Sequence, residues 1–157
     1  MTLNPPEPDA VVVDTNVALD WLVFRNPAVT PLFEQIAAGR LRWLGCERMR
    51  DELAHVLSRG LGGRLGDQPA EPVLQAWCSH VRMQPAPVPG VTQRLHCSDA
   101  DDQVFIDAAV VWQARWLVTR DRALLKLAKR ARRWGVEVQT PERCIEQMRS
   151  AAGPAQG

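Results

Sequence analysis

The 157-residue chain holds no apolar run approaching the ~20 residues of a membrane span, and its first residues, polar and Pro-rich, lack the basic and apolar regions of a secretory leader. A cytoplasmic protein with no membrane partner is the expectation. Cys46, Cys78, Cys97 and Cys144 form no Cys-x-x-Cys pair and no Cys/His cluster with zinc spacing, so they read as buried or incidental thiols. Neither G-x-G-x-x-G nor a phosphate-binding Gly-Lys loop is present, which argues against a nucleotide cofactor. His55, His80 and His96 stand in no recognisable nucleophile context. Net charge is also scarce: a formal +1 excludes a globally basic nucleic-acid binder. The charge is uneven, however, because Trp112 to Arg133 holds eight Lys/Arg against Asp121 alone, which makes a local basic face.

What the chain does have is 46% hydrophobic residues, enough for one domain that buries roughly 70% of its unfolded surface without disulfides or a structural metal. Strand-like runs lie at Ala10 to Asp14, Leu41 to Leu44, Met83 to Val88, Trp116 to Thr119 and Val136 to Val138. Amphipathic stretches between them predict helices over Asn16 to Phe24, Pro31 to Ala38, Glu47 to Arg59, Ala70 to Val81, Asp101 to Arg115, Arg122 to Arg133 and Pro141 to Arg149. This alternation predicts an α/β fold, a central, mainly parallel sheet covered on both faces in three α/β/α layers. Residues 1–9 read as an N-terminal extension, 10–150 as the domain and 151–157 as a flexible tail; Gly60 to Gly66 and Gln84 to Gly90 read as loops.

Two strand-like runs end on carboxylates: Val11-Val12-Val13-Asp14 and Trp116-Leu117-Val118-Thr119-Arg120-Asp121. Parallel strands share one C-terminal edge, so Asp14 and Asp121 can meet there despite their separation in sequence. Glu52 borders the apolar stripe of Met49, Leu53, Val56 and Leu57, about 80° from its centre, whereas Asp51 and Glu47 point away. Asp101 and Asp102 both fall near the buried arc of the helix carrying Phe105 and Ala109, with Ser98 or Asp99 as its cap; Asp107 falls in the polar sector with Gln103 and reads as solvated. Capping explains each acid singly. It does not explain four acids on separate segments, each at an inner edge or strand end, an arrangement that a divalent cation makes tolerable. Oxygen donors alone favour Mg²⁺ or Mn²⁺.

These segments resemble the PIN-domain ribonucleases, particularly the VapC-like toxins of bacterial toxin–antitoxin pairs. The likeness rests on Val13-Asp14-Thr15-Asn16-Val17, Asp51-Glu52-Leu53-Ala54-His55-Val56-Leu57, Asp101-Asp102-Gln103-Val104-Phe105-Ile106-Asp107-Ala108-Ala109 and Leu117-Val118-Thr119-Arg120-Asp121-Arg122-Ala123-Leu124-Leu125, in that order, and spans roughly Val11 to Pro141. Each motif alone is weak; their order and spacing together are specific. The resemblance implies Asp14, Glu52, Asp102 and Asp121 as catalytic, metal-binding acids, choosing Asp102 over Asp101, with Asn16 and Thr119 as polar supports. It departs at Cys46, where many relatives carry Ser. It further implies a Mg²⁺- or Mn²⁺-dependent endoribonuclease, leaving a 5′ phosphate, with a cognate antitoxin and a homodimer as partners. Arg120, Arg122, Lys126, Lys129 and Arg130, followed by Arg132 and Arg133, would then hold the RNA backbone. Trp21, Phe24 and Phe33 are candidates for part of an antitoxin-facing surface.

The alternative is a PIN fold that binds RNA or protein without cutting, against which retention of all four acids argues. A receiver-like phosphoacceptor needs paired acids near the first strand and a Lys at a late strand end; here Asp14 stands alone, and Gln139 and Thr140 follow Val138.

Overall fold

Three consecutive valines, Val11, Val12 and Val13, are 0–4% exposed, so the first strand is covered on both faces, as only an interior strand of a two-sided parallel sheet is. A computed structural model describes residues 7–60, 69–88 and 95–152. Residues 1–6 of the expected extension, 61–66 of the glycine-rich loop, the end of the Pro-rich loop at 89–90 and the tail from 153 lie outside the described residues. Along the chain come β1 (Asp9–Val13), α1 (Thr15–Leu22), α2 (Thr30–Ala37), β2 (Leu41–Gly45), α3 (Glu47–Ser58), α4 (Ala70–His80) and β3 (Val81–Met83). A 3-10 turn (Ala100–Asp102) then leads into α5 (Gln103–Val111), β4 (Trp116–Val118), α6 (Arg122–Leu125), α7 (Ala128–Ala131), a second 3-10 turn (Arg132–Trp134), β5 (Glu137–Gln139) and α8 (Pro141–Ala152).

All strand pairs are parallel, in the order β3-β2-β1-β4-β5. The chain therefore leaves β1 in one direction, returns to its other side, and leaves again. The C-terminal end of β1 is the point where strand order reverses, the usual place for a ligand crevice. Helix α5 packs on β1 and β4 and α7 on β5, while α2 and α8 pack on each other and on β2 and β4, giving the three expected layers. An aromatic file runs through the core beside β2: Trp21 stacks on Phe33 (4.4 Å), Phe33 meets Trp43 edge-on (5.3 Å), and Trp43 meets Trp77 (6.2 Å).

Several expected boundaries shift. The strand expected over Met83 to Val88 lies instead at Val81–Met83, paired with β2 through Trp43 and Val81; Pro85 and Pro87 have no N–H to offer a sheet. Helix α4 consequently stops at His80, with Val81 already extended. The helix expected over Asp101 to Arg115 shortens to α5, because the chain turns at Gln113 in a left-handed conformation (φ 54°) before entering β4. The single helix expected over Arg122 to Arg133 is two short helices and a 3-10 turn, tightened where the Leu127 amide donates to the Leu124 carbonyl (2.9 Å). Phe33 is fully buried under Trp21, so it offers no partner-facing surface.

Candidate metal centre

Asp14 ends β1 and opens α1. It is 4% exposed, and its Oδ2 accepts a hydrogen bond from the Thr119 hydroxyl (2.6 Å). Thr119 is fully buried and also receives the Asp121 amide (2.9 Å). One hydroxyl thus ties the end of β1 to the chain leaving β4, which fixes both acids at the same rim. Asp121 Oδ1 accepts from the amides of Ala123 (2.7 Å) and Leu124 (3.4 Å), capping α6 and leaving Oδ2 for a ligand. Carboxylate oxygens of Asp99, Asp102 and Asp121 lie within 4.8 Å of one another. Glu52, half-buried on α3, joins through Thr15, whose hydroxyl donates to Glu52 Oε2 (2.6 Å). The four acids expected at the site therefore stand at one end of the sheet, on four separate elements.

Their electrostatics are those of a crowded anionic site. Burial raises the Asp14 pKa, and the Asp121 charge adds to this, against relief from Thr119 and the amides of Thr15 and Asn16. Glu52 is raised by burial and then by Asp14, Asp101 and Asp99, with the Thr15 bond opposing. Asp102 is pushed up to about 8, first by burial, then by a hydrogen bond with Asp121 that favours its protonated form, then by the charges of Asp14, Asp121 and Asp99. Asp102 Oδ2 is buried without a hydrogen-bond donor. A proton or a cation would satisfy such an atom, as would a donor from water. An all-oxygen donor set with a donorless buried oxygen and mutually repelling charges fits a hard divalent ion.

Asn16 is exposed, and its contribution to Asp14 is its backbone amide rather than its side chain. Sequence reading offered Ser98 or Asp99 as the cap, and it is Asp99, accepting from the Asp101 amide (3.0 Å); its place in the carboxylate cluster was not anticipated. Asp107 is 4% exposed, correcting the expectation that it is solvated. The cause is Gln103, whose Nε2 donates to Asp107 Oδ1 (3.0 Å) and to the Leu95 carbonyl (2.8 Å) while its Oε1 accepts from the Cys97 amide (2.7 Å). This clamp lays residues 95–97 over α5 and leads the chain to Asp99. Arg48, one helical turn before Glu52, lines a groove of about 320 Å³ with Asp51, Glu52, His55 and Asp101, placing a cation beside the acids that sequence reading did not single out.

The basic residues divide. Arg120 makes a bidentate pair with Glu142 (2.8 Å to each oxygen) and a bond to Asp20 (3.2 Å), and so is committed to joining α1 to α8. Arg122, Lys126, Lys129, Arg130 and Arg133 are exposed and make no ion pair among the described residues, whereas Arg132 pairs with Glu137 (3.6 Å).

Comparison with known proteins agrees with this architecture. The chain is similar in fold to a crystal structure of VapBC2 from Rickettsia felis bound to a DNA fragment from their promoter, at 14% identity and a TM-score of 0.59, covering 82% of this chain and 98% of that one. It is equally similar to PAE2754 from Pyrobaculum aerophilum, at 17% identity and a TM-score of 0.59, covering 90% of each chain. No curated protein matches. The PIN domain family model matches residues 10–123, nearly three quarters of the chain, a span that includes Asp14, Glu52, Asp99, Asp102 and Asp121, and the chain therefore belongs to the PIN-domain family.

Proposed function

We propose that this protein is a Mg²⁺- or Mn²⁺-dependent endoribonuclease, the toxin of a toxin–antitoxin pair, with Asp14, Glu52, Asp102 and Asp121 as the metal-binding acids and Asp99 beside them. The observation that carries the reading is the buried, donorless Oδ2 of Asp102 within reach of the Asp99 and Asp121 carboxylates. Family membership supports nuclease chemistry. The likeness in fold to a toxin–antitoxin complex supports the pairing with an antitoxin.

In this reading Thr119 holds Asp14, Thr15 holds Glu52, and the α6 amides hold Asp121, so the acids need little rearrangement to act. A divalent ion bound there supplies a bound water of lowered pKa and positive charge for the phosphate oxygens. Arg48 stands where it can steady the phosphate beside Glu52. The cations from Arg122 to Arg133 give affinity for the RNA backbone without sequence choice.

The test is incubation of the purified chain, freed of any partner, with mixed cellular RNA and Mg²⁺ or Mn²⁺, alongside Asp14→Asn, followed by sequencing of the new ends. Metal-dependent cuts bearing 5′ phosphates and lost in the variant are expected. Equal cutting by both proteins would sink the mechanism.

A further inference from the structure

Away from the acids, a cavity of about 300 Å³ is lined by Leu95, Arg130, Arg133 and Trp134. Trp134 is 46% exposed and is the single aromatic among the exposed large hydrophobic residues described. Its backbone is rigidly placed: Gly135 closes the 3-10 turn in the left-handed region (φ 81°), its amide donates to the Arg132 carbonyl (3.0 Å), and the Val136 amide donates to Ala131 (3.2 Å). Arg130 and Arg133 share the cavity lining with the ring and make no ion pair among the described residues.

Two paths connect this cavity to the acidic rim. Leu95, held by Gln103, lies four residues before Asp99, a span of at most about 14 Å even if fully extended. On the other side the exposed cations Arg122, Lys126 and Arg130, spread over the two short helices that follow Asp121, lead along the chain to the cavity. We infer that this cavity is a nucleotide subsite, in which the Trp134 ring stacks on a base of single-stranded RNA while Arg130 and Arg133 hold the flanking phosphates. The inference rests on the ribonuclease reading, since it takes as occupant the strand whose other part lies at the acids. A half-exposed aromatic ring that shares a cavity with two exposed arginines lacking an ion pair among the described residues, in a stretch rich in such cations, matches a polyanion with exposed bases; stacking accepts any base, so it adds grip without sequence choice.

The probe is a fluorescein-labelled oligouridylate of about a dozen nucleotides, within the length single-strand sites cover, with a base-free ribose-phosphate chain of the same length as control. Binding is read by anisotropy on the full chain carrying Asp14→Asn, which prevents cutting. Trp134→Ala is expected to weaken oligouridylate binding about tenfold or more and to leave the base-free chain unaffected, whereas Trp134→Phe keeps most of the affinity. The Arg130→Ala, Arg133→Ala pair is expected to weaken both probes. Unchanged oligouridylate binding by Trp134→Ala overturns the subsite, as does an equal loss on both probes. So does a shift of that variant from dimer to monomer with RNA binding intact, since the cavity would then be a contact between copies. If the Asp14→Asn chain binds no oligouridylate the subsite also falls, and metal-dependent cutting of mixed RNA by the natural chain then decides whether the nuclease reading falls with it.

Discussion

Asp102 holds its proton in the absence of a cation, through burial, its hydrogen bond with Asp121 and the neighbouring carboxylates, and this ties proton uptake to metal binding. The Asp102 carboxyl sits at about 8 against 3.8 in an unstructured chain, so between these values the folded, metal-free protein holds a proton that the unfolded chain has lost. Its contribution to stability is complete below the unfolded value and disappears as pH rises through the folded one. Asp14 and Glu52, shifted in the same direction, act with the same sign. The melting temperature of the metal-free protein is therefore expected to fall between about pH 4 and 8, while the increase produced by Mg²⁺ grows over the same range. Asp102→Asn should flatten both trends; a Mg²⁺ effect of constant size across that range in the natural chain would refute the coupling. Gln103 gives a second residue-level expectation. Gln103→Leu leaves the Cys97 amide, the Leu95 carbonyl and a buried Asp107 oxygen each short of a bond, at a cost of about 2–4 kcal/mol, and loosens the segment leading to Asp99. Chemical denaturation and Mg²⁺ titration should show both losses, and a variant as stable as the parent would show that the clamp is dispensable. Helical periodicity placed Gln103 and Asp107 outward on α5. It failed because a neighbouring segment covers that face, and coverage by a loop leaves no period in the sequence.

At the level of elements, the strands were legible because β1 and β4 are unbroken apolar runs ending on acids, and α3 because its stripe is regular. β3 was misplaced because α4 runs into it without a turn residue, so the apolar character of Val81 served helix and strand alike. The helix after Asp121 was read as continuous because Leu124, Leu127 and Ala131 keep helical spacing across the break at Leu127. The seam between β2, β3 and α4 is also tight at Gly45. A Cβ at Gly45 would lie 2.7 Å from Val81 Cγ1 and 3.0 Å from the Trp77 ring, both in the core. Gly45→Ala should thus cost about 1–3 kcal/mol through displacement of these side chains. Urea denaturation checks this, and an unchanged midpoint would mean that α4 shifts freely.

For the whole molecule, a net charge of +1 conceals a division between an acidic rim and the cationic stretch following it. If the five unpaired cations Arg122, Lys126, Lys129, Arg130 and Arg133 contact single-stranded RNA, the logarithm of affinity should fall with the logarithm of salt concentration at a slope of about −3.5. Arg120→Ala should leave that slope unaltered, because Arg120 already bonds Glu142 and Asp20. A slope near zero would remove the backbone contacts from the reading. The resemblance named four acids with Thr119 as a support, but the partners of the Thr15 and Thr119 hydroxyls could not be read from sequence, since those bonds span 37 and 105 residues. The strand order has one further consequence, for the time during which the protein is being made. β1 lies between neighbours drawn from opposite ends of the chain: Asp14 and Glu52 leave the ribosome early, Asp99 and Asp102 later, and Asp121 only after β4 has emerged to fit beside β1. If the protein cuts RNA as proposed, a growing chain, surrounded by ribosomal RNA, carries an incomplete set of acids through most of its synthesis, and cutting waits until β4 and Asp121 have been made.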